Sequence, residues 1–316
     1  VHRSDAVKGQ DSPPVSLSSK PTSSDISMRG VFFAVSAAIM WGIVPIYIGY
    51  VDADDPMEIV THRALWSGVL LLGVIFFLPQ MTGGIVAIRA ALTSVSLRWS
   101  FLLSSILLTM NWGIFVYAVQ TQRVVEAALG YFIYPLVTVV LGILLLREKL
   151  DRWGWMAVAI VAGGVILKTQ SAAGLPWISL VLAVTFGLYG VLRKRMGVDA
   201  VSGMFIETML LFPPAILYLV WMQISGQPLF FGGGAANIGL AMAAGVVTVV
   251  PLILFHAGNK ALPITIAGML FYANPTTQLL IGLFYFDAPF PPQEWLNFGV
   301  IWAGLVVYFS TRRTET

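Results

Sequence analysis

Apolar stretches of about 17 to 24 residues recur along this chain, each close to the roughly 20 residues an α-helix needs to cross a hydrocarbon core. Ten are read, at approximately 31 to 50, 57 to 78, 99 to 119, 124 to 146, 153 to 169, 175 to 192, 200 to 222, 236 to 258, 262 to 285 and 292 to 310. A chain so patterned cannot bury its apolar surface around one water-soluble core. Its 316 residues are 58% hydrophobic and 10% charged, against the roughly one quarter charged residues of a soluble domain. The expectation is an all-α membrane protein of ten transmembrane helices in contact with the lipid bilayer.

Charge placement orients it. Of the eighteen lysines and arginines, fifteen fall in segments on one side of a ten-helix topology, Arg123 and Lys168 fall on the other, and Arg63 lies inside a stretch. The positive-inside rule then puts both termini in the cytoplasm and the protein in the cytoplasmic (inner) membrane. Topology accounts for the basic pI, so no nucleic-acid partner is called for. Residues 1 to 29 are polar and lack an apolar core, and read as a disordered cytoplasmic tail rather than a signal peptide. Met28-Arg29 stands directly before the first stretch, and an initial Val1 points to an alternative start codon or an overlong gene model.

The two halves of the chain resemble copies. At an offset of 145, Ala38, Trp41-Gly42, Asp54, His62 and Leu65 lie over Ala183, Phe186-Gly187, Asp199, Glu207 and Leu210. At an offset of 140, Pro135, Gly142, Trp155 and Gly164 lie over Pro275, Gly282, Trp295 and Gly304. The copies are expected at 30 to 172 and 173 to 312. Five helices per copy force the second to be inverted, an architecture from which secondary transporters build two exchangeable half-gates.

An ionisable group inside a bilayer is costly, so each one in a stretch is a functional candidate. His62 and Arg63 lie about five residues into the second helix, and Glu207 at similar depth in the seventh, which nominates all three for coupling or gating. The structural alternative is that Arg63 snorkels to headgroups and Glu207 bonds a neighbouring helix. Glu58 and Glu126 read as interfacial anchors or helix N-terminal dipole partners, and His256 as a plain interfacial residue. Pro135 and Pro275 are expected to interrupt the fourth and ninth helices at mid-depth, and matching interruptions point to a transporter's binding site. Tyr131, Tyr134, Tyr272, Asn274 and Gln278, with Asn111 and Trp112 of the third helix, are the candidate lining. The alternative is that the prolines only bend helices that the polar groups bridge. A lining without a cluster of positive charge suits a neutral or zwitterionic solute better than a phosphate ester. The stretch Met81 to Arg89 reads as a weakly amphipathic loop.

Catalytic chemistry finds little footing. With no cysteine and three scattered histidines, no metal set, cofactor site or catalytic residue is expected. The rivals to a permease are a lipid flippase and an integral membrane enzyme. A coupling proton is left open, as is the oligomeric state.

Several strings resemble one family: Trp41-Gly-Ile-Val-Pro45, Thr61-His-Arg-Ala-Leu-Trp-Ser67, Asn111-Trp112, Glu126-Ala-Ala-Leu-Gly-Tyr-Phe-Ile-Tyr-Pro135, Tyr189-Gly-Val-Leu-Arg-Lys194, Glu207-Thr-Met209 and Thr248-Val-Val-Pro-Leu252. They are similar to the RarD-type branch of the EamA family, within the drug/metabolite transporter superfamily. The resemblance spans about 28 to 312 and implies a ten-helix inverted-repeat permease working by alternating access. Tyr134, Phe271 and Asp287 depart from the family pattern.

Overall fold

The computed structural model describes residues 25–51, 55–78, 84–121, 123–169, 177–287, 292–310 and 313–315. Twelve α-helices are formed among them: α1 Met28–Tyr50, α2 Pro56–Phe77, α3 Gly84–Thr93, α4 Val95–Gln120, α5 Val124–Leu146, α6 Arg152–Thr169, α7 Trp177–Met196, α8 Ala200–Ile224, α9 Ala235–Ala261, α10 Ile264–Leu270, α11 Ala273–Phe284 and α12 Pro292–Ser310. Each apolar stretch coincides with a helix, the ninth with the pair α10 and α11. Seven helices (α1, α2, α4, α5, α7, α8, α9) contain spans long and apolar enough to cross a membrane. The chain is therefore a multi-pass α-helical membrane protein.

Local chemistry sets the helix starts. Asp55 caps α2 by accepting a hydrogen bond from Met57 N at 2.8 Å, and Pro56 occupies the first helical position, where its missing N–H costs nothing. Asp199 accepts from Ser202 N at 2.9 Å to open α8. Ser27 accepts from Gly30 N at 3.3 Å, so α1 starts inside the segment read as a tail. Residues 25–27 of that segment pair in parallel with 313–315, bringing the two chain ends together on one side of the bundle; residues 1–24 lie outside the described residues. The stretch read as a loop around 81 to 89 holds α3, and its residues 81–83 also lie outside the described residues.

The proline expectation needs correcting. Pro135 sits inside an unbroken α5. The ninth helix does break, but at Phe271-Tyr272 and not at Pro275, which falls in the first turn of α11. The break lies four residues ahead of Pro275, where a proline ring clashes with the helical carbonyl.

The helices pack as α1 on α9 and α11, α7 on α4 and α5, α2 on α8 and α9, α4 on α8, α5 on α10, and α6 on α12. Close approach is built in: a Cβ on Gly245 of α9 would stand 2.6 Å from the Trp66 backbone of α2. Large apolar side chains such as Phe32, Phe77, Leu144, Leu217, Trp221 and Phe284 are exposed on the outside. Glu58, His62, Arg193, Glu207 and His256 are buried within. Polar groups inside and apolar groups outside are the distribution that lipid selects.

Candidate functional site

Arg63 extends from α2 between four other helices. Its Nε donates to Thr248 Oγ1 of α9 at 2.9 Å, and its guanidinium lies 4.8 Å from the ring centroid of Trp112 on α4. The hydroxyl-bearing rings of Tyr131 on α5 and Tyr47 on α1 are within its electrostatic range, and Tyr47 itself donates to Leu240 O at 2.9 Å. Among the described residues Arg63 forms no ion pair. His62, one residue earlier, points elsewhere. Its Nε2 lies 3.4 Å from Glu58 Oε1, and its ring stacks on Phe231 with centroids 5.4 Å apart. Glu58 also accepts from the backbone N–H of Phe230 at 3.0 Å and Phe231 at 3.3 Å, fastening the α8–α9 connection to α2. Glu58 stands in the first turn of α2, the place expected of a helix-dipole partner, and is buried there against a short turn.

This end of the bundle, far from the chain termini, is tied again by Tyr218 donating to Asp55. A cavity of about 410 Å³ remains beside that bond, lined by Asp55, Tyr218, Met222 and Pro228 among others.

Nearer the terminal end lies a second polar cluster. Glu207 accepts from Ser104 Oγ at 2.5 Å and from the Tyr189 hydroxyl at 3.0 Å, and Arg193 Nε stands 3.4 Å away as its ion-pair partner. Tyr189 also contacts His256 Nε2 at 2.8 Å. All five side chains are buried. With its hydroxyl proton directed at Glu207, Tyr189 can take a second hydrogen bond only from a His256 ring protonated on Nε2. Gly203 gives Arg193 room, because a Cβ there would stand 2.1 Å from the guanidinium. His256 is therefore part of a buried network, contrary to the interfacial role expected of it. Arg193 and Lys194, read as loop cations, belong to α7, and Lys194 donates to Asn259 O and Leu262 O at the end of α9. A polar cap of this kind suits a cation because the helix C-terminus carries partial negative charge.

Between the clusters sits an aromatic cage. Trp41 of α1 packs on Phe186, Phe255 and Phe271 with centroids 5.5 to 5.7 Å apart. Tyr134 meets Phe271 edge-on at 4.7 Å, so two positions that depart from the resembling family's pattern touch one another. Trp112 and Tyr131 pack against the same cluster.

The remaining expected lining residues have partners of their own. Tyr272 donates to Phe132 O at 2.9 Å and Asn274 accepts from Gln278 Nε2 at 2.8 Å. Asn111 donates to Leu182 O at 2.9 Å and Thr185 Oγ1 at 3.0 Å. The structure thus brings Arg63, Trp112, Tyr131 and Tyr134 to one centre and uses Asn111, Tyr272, Asn274 and Gln278 in holding helices and turns. Sequence reasoning missed Trp41, Phe186, Phe255, Tyr189 and Arg193 as site residues. Their signal was present for the last two, which are four apart and so share a helix face. Among the described residues no group of three or more His, Asp or Glu is placed to hold a metal ion.

The EamA-like transporter family matches residues 28–169. The uncharacterised transporter YojE of Bacillus subtilis is 39% identical over 282 residues, covering 89% of this chain and 93% of that protein. Protein RarD of Streptomyces exfoliatus is 34% identical over 88% of this chain and 87% of its own, and protein RarD of Escherichia coli 34% identical over 91% and 97%. One crystal structure of another protein has the same fold, with a TM-score of 0.66 at 17% identity, covering 90% of this chain and 97% of that one.

Proposed function

Since this chain belongs to the RarD branch of the EamA-like transporter family, we propose that it is a permease moving a small organic solute across the cytoplasmic membrane by alternating access. The observation that carries this reading is the placement of Arg63 and of the buried Glu207–Arg193 network on either side of one aromatic cage. Ser104, which holds Glu207, and Trp112, which holds Arg63, are eight residues apart on α4, hence about 12 Å apart along its axis. A solute in the cage has a polar gate on each side of it.

The helix pairings support a two-repeat mechanism. Let α1, α2, α4, α5 and α6 exchange with α7, α8, α9, α10–α11 and α12. Then α1 on α9 becomes α7 on α4, α2 on α9 becomes α8 on α4, and α5 on α7 becomes α10–α11 on α1, all of which occur. The pairs α2 with α8 and α6 with α12 map onto themselves. In our reading these are two inverted five-helix repeats, 30 to 172 and 173 to 312, that rock against each other with both termini cytoplasmic. Asp55–Tyr218 and Glu58–Phe230 close the outer side, and Arg193–Glu207 and Lys194–Leu262 the inner.

Reconstitution into liposomes tests the reading. Counterflow of a water-soluble solute supports the permease. Lipid scrambling without counterflow would make the protein a flippase, and product formation without either would make it an enzyme.

A further inference from the structure

We propose that Arg63 is the anion-binding residue of the central site and that the solute bears a carboxylate beside a flat apolar body, an inference that rests on the permease reading above. A guanidinium has five N–H donors in a planar fork. Here Nε is used by Thr248, a neutral hydroxyl, and one face is covered by Trp112. The four N–H groups on the terminal nitrogens have no hydrogen-bond acceptor among the described residues. Those nitrogens are also not sealed in protein, in contrast to Arg193 Nε.

The other cations inside the bundle are treated differently. Arg193 has the Glu207 carboxylate and Lys194 has two carbonyls at a helix end. Tyr131 and Tyr47 lie within electrostatic range of Arg63, and among the described residues no carboxylate forms an ion pair with it. A fixed cation kept in a bilayer without an anion is costly, and a partner that arrives and leaves relieves that cost during each cycle. The fork geometry selects a two-oxygen acceptor such as a carboxylate, which it binds with two parallel hydrogen bonds. Trp112, Tyr131 and the adjoining cage supply apolar walls for the body of the solute. One cation among neutral groups meets one negative charge, so a singly charged carboxylate or a zwitterion matches it better than a doubly charged phosphate ester.

The test compares carboxylates with their own amides on the purified full-length protein in detergent, by isothermal titration calorimetry. Three pairs serve: benzoate with benzamide, nicotinate with nicotinamide, and L-phenylalanine with L-phenylalaninamide. In at least one pair the carboxylate should bind at least about tenfold more tightly, as expected for hydrogen bonds to a charged group. Arg63→Gln should erase that preference, and Arg63→Lys should retain part of it. No preference in any pair, absence of binding included, overturns the proposal, as does a preference that Arg63→Gln leaves intact. The wild-type comparison stands even if the variants fail to fold. Counterflow of the same solutes separates this inference from the permease reading. Arg63-dependent binding without flux would remove the permease and keep the anion site, whereas equal flux of amides and carboxylates would do the reverse.

Discussion

Trp41 of α1 and Phe186 of α7 meet edge to face, with ring centroids 5.7 Å apart and planes at 74°. The two residues occupy corresponding places in the proposed repeat, 145 positions apart, so on that reading the contact joins its two copies at their centre. An edge-to-face aromatic pair contributes about 0.5–1.5 kcal/mol beyond its burial. A double-mutant cycle of Trp41→Ala and Phe186→Ala should therefore show a coupling energy of that size in reversible unfolding of the purified protein. Additive effects of the two substitutions would mean that the rings contribute only through the area each buries.

Glu207 and Arg193 make a second testable pair. Removing one partner of a buried ion pair leaves the other charge without compensation, at about 3–5 kcal/mol. Glu207→Gln should lower stability on that scale and abolish counterflow, and adding Arg193→Met should restore most of the stability without restoring transport. If the double variant is no more stable than Glu207→Gln alone, the pair is not the reason for the loss.

Glu148, in the connection between α5 and α6, accepts from Ile264 N at 2.6 Å and Thr265 N at 2.9 Å, and so caps α10. Loss of such a cap costs about 0.5–2 kcal/mol. Hydrogen exchange at residues 264 to 267 should accelerate several-fold in Glu148→Ala and less in Glu148→Gln, which keeps one acceptor. Exchange that is unchanged in both variants would show that α10 holds its start by packing alone.

The membrane orientation can be read by labelling, and the absence of native cysteine leaves a clean background. Single cysteines replacing Ala53, Gln122, Ala172, Pro228 or Phe290 should react with an impermeant maleimide applied to intact cells. Cysteines replacing Ala90, Leu150, Arg195 or Lys260 should react only after permeabilisation. Reaction at position 195 from outside would overturn the orientation proposed here.

The amino-acid sequence by itself determined the long helices and the solvent they face. Apolar length is a local property, which is why each of the ten stretches coincides with helix, and charge depletion marks Arg63 and Glu207 as costly wherever they end up. It also announced Pro275 as a disturbance, though the ring acts on a carbonyl four residues back and so puts the break at Phe271-Tyr272. Only the tertiary structure decided who partners whom. Arg193 reads as one more loop cation until α7 packs on α4, which also packs on α8, and sets it 3.4 Å from Glu207. Asn274 and Gln278 look like ligand groups until they bond to each other. Trp112 reads as one more lining residue, and only the packed bundle lays the Arg63 guanidinium across one face of its ring. A hydrogen bond or ion pair reaches about 3 Å, and which groups come that close depends on helix rotation and crossing. Those are properties of the packed bundle, which no single helix carries in its own residues.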